Sequence, residues 1–116
     1  MVKMHEFSIT QGILSIAVDK AREANASKIT KINVVIGEIS GIVSDCVNFY
    51  FDFLSKETIA DDASLNFTRV PFKLHCRNCD ATFTPEKFDW TCPFCREHQS
   101  EVASGYECYV ESIEVT

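Results

Sequence analysis

The sequence predicts an α+β fold in which a three-stranded sheet carries two helices and a zinc-ribbon lobe is inserted before the last strand. Three observations support this prediction: two closely spaced cysteine pairs, two segments with helical spacing of apolar residues, and three segments rich in β-forming residues. We expect residues 1–70 and 104–116 to form the α/β domain and residues 71–103 to form the lobe. A length of 116 residues suits one domain with a small insertion.

The first helix is predicted over residues 6–25, where apolar residues recur at helical spacing. The stripe consists of Ile9, Ile13, Ile16, Ala17, Ala21 and Ala24. Polar residues lie mostly off this stripe, as expected for a helix with one face on a core.

A strand and then a second helix are predicted after the first helix. Apolar and polar residues alternate over residues 30–39, which is typical of a strand. The second helix is expected over residues 45–57, with Ser44 as its N-cap and Asp45 favoured by the helix dipole. Its apolar face consists of Val47, Tyr50, Phe51 and Leu54, widened by Phe49 and Phe53.

Two further strands complete the predicted sheet. Residues 64–70 alternate regularly, whereas residues 106–115 change parity partway, which indicates a bulge near Glu111 and Ser112. Two strands and two helices alone would make a thin core. We therefore expect the last strand to return to the sheet of the first domain.

The two cysteine pairs are the strongest chemical signal in the chain. Cys76 and Cys79 form one C-x2-C unit, and Cys92 and Cys95 form the second after a twelve-residue span. Four thiolates can converge on one tetrahedral ion, and a structural Zn²⁺ is the usual occupant. Redox iron, as in rubredoxin-like sites, and regulated metal binding are the alternatives.

The other histidines, cysteines and aromatic residues have predicted roles in packing or metal exchange. His75 and His98 are expected to be exposed or to donate hydrogen bonds to sulfur, and the sharper hypothesis is that one of them replaces a cysteine on zinc. The remaining cysteines, Cys46 and Cys108, are interpreted as core residues. The side chains expected to pack around the metal are Phe72, Leu74, Phe83, Phe88, Trp90 and Phe94.

Composition excludes several classes of function. The formal charge is −6, and no cluster of Lys and Arg offers a binding surface for nucleic acid. No apolar run has the length of a membrane span and no signal peptide is visible, so a cytoplasmic protein without a membrane partner is expected. The sequence contains no Walker loop, G-x-S-x-G or H-E-x-x-H motif, and we expect no enzymatic activity.

His5 is a candidate ligand for a second metal. Its position near the chain start is also compatible with a disordered terminus. An imidazole beside backbone nitrogens suits Ni²⁺ or Cu²⁺, and Glu6 could add an oxygen ligand, orient the imidazole or cap a helix start.

The sequence resembles the HypA/HybF family of hydrogenase nickel-incorporation proteins over essentially residues 4–116. The segments that carry this resemblance are Met4-His5-Glu6 at the start of a helix, Gly37-Glu38 at the end of a strand, the pairs Cys76/Cys79 and Cys92/Cys95, and the tail Ile113-Glu114-Val115. Each segment except the cysteine pairs is weak alone, but their order and separation together are specific.

The resemblance implies a non-catalytic nickel metallochaperone. Such a protein works with a HypB-type GTPase to load nickel into the large subunit of [NiFe]-hydrogenase, and some members serve urease maturation. It implies that His5 is the essential nickel ligand with Glu6 and Met4 beside it, and that the four cysteines hold zinc. A monomer or a homodimer is expected. A rubredoxin-like electron carrier and a zinc-ribbon adaptor are the alternatives.

The chain departs from the family pattern at its start. Residues 1–3 precede the Met-His-Glu motif, which normally begins the protein. If these residues are native, they move the terminal amine away from His5, and imidazole, local amides and carboxylate would hold the nickel. Cys108 stands where an aliphatic residue is usual, which fits a core role.

Overall fold

The computed structural model of the protein describes residues 4–87 and 89–116. Within these residues the chain forms two α-helices and six β-strands, which confirms the predicted α+β class. The elements are α1 (Met4–Glu23), β1 (Ile29–Gly37), α2 (Ser44–Leu54), β2 (Ser64–Val70), β3 (Lys73–Cys76), β4 (Thr82–Phe83), β5 (Ser100–Ser104) and β6 (Cys108–Val115).

The first sheet has the strand order β2-β1-β6. The central strand β1 runs parallel to β2 and antiparallel to β6, so that Ile32 lies opposite Leu65 on one side and Ile113 on the other. A parallel pair requires a crossover connection, and α2 provides it between β1 and β2. The predicted return of the last strand to the first sheet is therefore confirmed.

The predicted bulge in the last strand is also present. Asn33 pairs with Ser112 and the next residue, Val34, pairs with Val110, which leaves Glu111 as the extra residue. The bulge restores the side-chain alternation, because Val110 and Ile113 can both pack against the core although they differ in parity.

The main core lies between the first sheet and both helices. Ile32, Val34 and Ile36 of β1 are buried with residues of α1 and α2. The residues contributed by the helices are Ile13, Ala17, Ala21, Val47 and Phe51.

The buried stripe of α1 is narrower than predicted. Ala17 is fully buried, whereas Ile16 is 48% exposed and Ala24 is exposed. Adjacent helical residues are rotated by about 100°, so a stripe centred on Ala17 leaves Ile16 at its edge.

Three expectations about α2 were wrong. The helix begins at Ser44 with Val43 as its N-cap residue, and no side chain of the cap makes a capping hydrogen bond. It ends at Leu54, three residues earlier than predicted. Phe49 and Phe53 are 66% and 50% exposed, so they do not extend the core-facing surface.

The second sheet has the order β4-β3-β5, and all its strand pairs are antiparallel. Its small core combines Leu74 and Phe83 with Cys76 and Cys92. The expected packing of aromatic residues is only partly observed, because Trp90 is 40% exposed and lies edge-on, 6.0 Å from the ring of Phe72.

Two other expectations for side-chain burial were wrong, and one cannot be judged. Phe94 is 70% exposed because the turn between Cys92 and Cys95 presents its backbone to the sulfurs and its side chain to solvent. Cys108 is exposed and Cys46 is only half-buried. Phe88 lies outside the described residues.

The two sheets meet at a junction of close backbone contacts. The Gly37 N–H donates to the Glu107 carbonyl, and a Cβ on Gly37 would lie 2.0 Å from the Gly105 carbonyl oxygen. The Phe72 N–H donates to Oε1 of Glu38 at 3.1 Å. Gly37 is therefore required by space. Gly105 is required by its φ of +123°, and a Cβ there would also lie 2.9 Å from the side chain of Ile39.

The molecule is elongated, with extents of 55 × 35 × 16 Å. Its radius of gyration is 17.8 Å, whereas a compact domain of this length has about 13 Å. The division at residues 71 and 103 remains a prediction.

Across the described part of the chain, neither helix is long and apolar enough to cross a bilayer.

Candidate metal centres

The four cysteines of the two C-x2-C pairs meet in the second sheet. All four sulfur atoms lie within 4.8 Å of one another. The Sγ atoms of Cys76 and Cys95 are 3.6 Å apart, as are those of Cys79 and Cys92. A disulfide requires about 2.0 Å, whereas a Zn²⁺ ion with four Zn–S bonds of about 2.3 Å places its sulfurs about 3.8 Å apart. The cluster therefore fits a structural zinc site.

The two cysteine turns have the same backbone geometry. The Asp80 N–H donates to the Cys76 carbonyl at 2.8 Å, and the Arg96 N–H donates to the Cys92 carbonyl at 2.9 Å. Asp80 and Arg96 have φ values of 64° and 67°, in the left-handed region. The Cys76 N–H closes the first turn by donating to the Ala81 carbonyl at 2.8 Å. Repetition of one turn orients both sulfur pairs toward a common point.

The surroundings of the two turns change the pKa values of the thiols. Desolvation raises the pKa of Cys92, but hydrogen bonds from the backbone N–H groups of Cys95 and Phe94 outweigh it and bring the pKa to about 6. The Ala81 N–H lowers the pKa of Cys79, whereas desolvation and hydrogen bonds to the other thiols raise it to about 12. Since thiolates are the ligands, metal binding to the cluster releases protons.

The two histidines of the lobe contact polar side chains other than the four cysteines. Nε2 of His75 is 3.3 Å from Oδ1 of Asp80, and its Nδ1 is 3.3 Å from Oε1 of Glu101. Nδ1 of His98 is 3.2 Å from the Thr91 hydroxyl. Among the described residues, the candidate metal cluster of this lobe contains cysteines alone.

His5 and Glu6 lie in the first turn of α1. The side chain of His5 is 54% exposed, whereas that of Glu6 is completely buried. The Val43 N–H at the start of α2 donates to Oε2 of Glu6 at 3.0 Å. The carboxylate therefore lies at the positive end of the α2 dipole.

The other carboxylate oxygen of Glu6 faces the imidazole. Oε1 is 3.1 Å from Nε2 of His5, but within the described residues it has no hydrogen bond of good geometry. A buried carboxylate oxygen without a donor is costly. This oxygen is available to a protonated imidazole or to a cation bound beside it.

Sequence reasoning did not find the contribution of Val43 to this arrangement. The sequence predicts three possible roles for Glu6: an oxygen ligand of the metal, a side chain that orients the imidazole, or a cap for the start of its own helix. Its carboxylate lies beside the imidazole of His5 and also accepts a hydrogen bond from the start of α2, 37 residues away. No local sequence pattern predicts this contact, because the donor is a backbone N–H. Met4 begins α1, but its side chain and residues 1–3 lie outside the described residues.

The family model described as "Hydrogenase/urease nickel incorporation, metallochaperone, hypA" matches residues 4–115. The chain belongs to the HypA family. The hydrogenase maturation factor HypA of Dehalococcoides mccartyi is 47% identical over 97% of this chain and 94% of its own. The protein of the same name from Caldanaerobacter subterraneus is 42% identical over 97% of this chain and 99% of its own.

Two solved HypA structures share the fold. A solution structure of a HypA protein has a TM-score of 0.78 and 26% identity over 99% of this chain and 98% of that one. The solution structure of the Ni metallochaperone HypA from Helicobacter pylori has a TM-score of 0.67 and 25% identity over 95% and 96%. The predicted family is confirmed, and it is a family of nickel metallochaperones for hydrogenase maturation.

Proposed function

We propose that this HypA protein binds Ni²⁺ at the His5–Glu6 turn and delivers it, together with a HypB-type GTPase, to the large subunit of [NiFe]-hydrogenase. Delivery to urease is a second destination that the family description allows. The protein itself catalyses no reaction in this proposal. Nickel is its cargo, and zinc remains in the four-cysteine cluster.

The observation that supports the nickel site is the orientation of the Glu6 carboxylate. One oxygen is held by the Val43 N–H, and the other lies 3.1 Å from the half-exposed His5 ring. A carboxylate fixed in this way can orient the imidazole, as acidic partners of metal-bound histidines commonly do.

The ligand chemistry separates the two metals. Imidazole and amide nitrogens with a carboxylate suit Ni²⁺, whereas four thiolates suit Zn²⁺. His5 is exposed enough to exchange its metal with a partner. Met4 and the neighbouring amides are the further candidate donors, and the terminal amine joins them if the chain begins at Met4.

Nickel titration of three variants tests the site. We expect His5→Ala to abolish high-affinity binding of Ni²⁺ in isothermal titration calorimetry, because it removes the proposed nitrogen ligand. Glu6→Gln should weaken binding by about 10- to 100-fold, the usual cost of losing an outer partner of a metal-bound histidine. His98→Ala is the matched control, since this histidine lies in the lobe and should not affect nickel affinity.

Unchanged stoichiometry and affinity in His5→Ala would overturn the assignment. Circular dichroism and zinc content of each variant show whether a loss reflects unfolding. Repeating the titration on a chain that begins at Met4 measures the contribution of the terminal amine, because only residues 1–3 differ.

A further inference from the structure

The outward face of α2 carries an exposed aromatic cluster that the proposed nickel site does not use. Phe49 and Phe53 are 66% and 50% exposed. Their rings make edge-to-face contacts with each other at 6.1 Å and with Tyr50 at 5.5 and 6.1 Å. Contiguous exposed aromatic residues commonly mark an interaction site.

A groove of about 430 Å³ runs beside this cluster. One wall is formed by Phe49 and Phe53, and the opposite wall by the turn that leads into β2. The charged groups of the groove are Asp52, Asp61, Asp62 and Lys56. Nζ of Lys56 already lies 4.0 Å from Asp61 Oδ1, so acidic groups dominate the rim.

Charge distinguishes a second copy of this chain from a different partner protein as the occupant of the groove. A second copy of this chain would bring its own acidic rim and a net charge of −6 against the same surface. Like charges across an interface suppress association, whereas opposite charges steer it. We propose that the groove binds a partner protein through a segment in which an apolar side chain, packed against the rings of Phe49 and Phe53, is flanked by Lys or Arg.

The position of the groove relates it to nickel delivery, so the role of the docked partner rests on the proposed function. The ring of Phe7, in the first turns of α1, lies edge-to-face with Tyr50 at 5.3 Å. The start of the same helix α2 binds Glu6 through Val43. Phe49 and Phe53 lie about 9–15 Å along α2 from the Val43 end, at 1.5 Å per residue. A partner docked in the groove therefore contacts the helix that holds Glu6, on the side of the molecule where nickel would be handed over.

Two surface variants and a matched control test the proposal. The probes are the purified HypB-type GTPase and hydrogenase large subunit encoded by the same genome, titrated by calorimetry against the zinc-loaded protein. We expect the double variant Phe49→Ser/Phe53→Ser to weaken binding of at least one probe at least tenfold. Asp52→Lys/Asp62→Lys should weaken the same complex and reduce its sensitivity to salt. Tyr109→Ser removes an aromatic of similar exposure, 51%, from β6 and should have no effect.

The nickel affinity of each variant separates this proposal from the preceding one. Reduced partner binding with unchanged nickel affinity supports the groove even if His5 is not the nickel ligand. The proposal is overturned if neither probe binds the wild-type chain or if both bind the double variant as tightly as the wild type. It is also overturned if the wild type self-associates through this face and the double variant does not, because the occupant would then be a second copy.

Discussion

The zinc cluster and the His5–Glu6 turn hold their candidate ligand atoms in different ways. In the cluster, Cys76 and Cys92 are buried, and both cysteine turns are closed by the same backbone hydrogen bonds. At the turn, the exposed ring of His5 is supported on one side by Glu6, a buried residue fixed by another helix. The cluster is arranged to enclose an ion, whereas the turn presents an imidazole beside a buried carboxylate.

This difference fits the separate tasks that are proposed for zinc and nickel. A closed shell of four sulfurs leaves no open position through which a structural ion can exchange. An exposed imidazole can bind a metal and pass it to another protein, because an incoming ligand can reach the ion. The buried carboxylate of Glu6 lies 3.1 Å from the ring, so an exposed imidazole is here combined with a fixed neighbour.

Breaking the zinc cluster should have the largest effect. We expect Cys92→Ala to unfold the second sheet, because structural zinc contributes on the order of 10 kcal/mol and the remaining core of this lobe is small. Hydrogen exchange measured by NMR should show loss of protection at Leu74 and Val102. Protection at Ile32 should persist, because its core cluster does not include residues of the lobe.

This experiment also tests the proposed division into two domains. Cys108→Ala is the control, since this exposed cysteine lies in β6 and should change neither zinc content nor protection. Equal loss of protection in both sheets would show that they unfold as one cooperative unit.

The junction between the two sheets should give the next largest effect. A Cβ on Gly37 would lie 2.0 Å from a backbone oxygen of Gly105, which cannot move as freely as a side chain. We expect Gly37→Ala to lower the free energy of unfolding by about 3 kcal/mol, the upper end of the usual cost of overpacking. Urea denaturation measures this change.

Gly12 is the matched control for the junction. It lies in α1, and a Cβ there would meet no atom within 4 Å. Gly12→Ala should therefore stabilise the protein by about 0.5–1 kcal/mol, as expected for replacing glycine in a helix. If Gly37→Ala is tolerated as well as Gly12→Ala, the close packing of the junction is contradicted.

Much of this architecture could be predicted because it depends on local patterns. Apolar periodicity located both helices, and the parity change near Glu111 predicted the bulge in β6. The cysteine spacing identified the cluster. The resemblance pointed to His5, whose nickel role remains a prediction.

The wrong expectations depend on contacts between distant residues. The sequence predicts Ser44 as the N-cap of α2. The N-cap residue is instead Val43, whose N–H donates to Glu6 of the other helix. Periodicity alone does not distinguish an aromatic face that packs on the core from one that is exposed to solvent. The predicted contribution of Phe49 and Phe53 to the apolar face is wrong for this reason. Strand β4 has only two residues, too few for any alternation to be recognised.

The smallest effect concerns the loop between the cysteine turns. Thr91 lowers the pKa of Asp89 through a hydrogen bond from its backbone N–H, at 3.0 Å, and through another from its side chain; protonated His98 adds a weaker attraction. The folded-state pKa therefore lies below the ordinary value of 3.8. The resulting stabilisation is present above that value and is lost as the pH falls through the lower folded-state pKa.

Carbon-detected NMR of the zinc-loaded protein should show the carboxyl of Asp89 titrating below 3.8, with zinc content followed at each pH. A peptide of residues 86–92 provides the unfolded reference. A midpoint equal to that of the peptide would mean that the Thr91 hydrogen bonds do not persist in solution. The fixed geometry of the lobe would then be confined to the two cysteine turns.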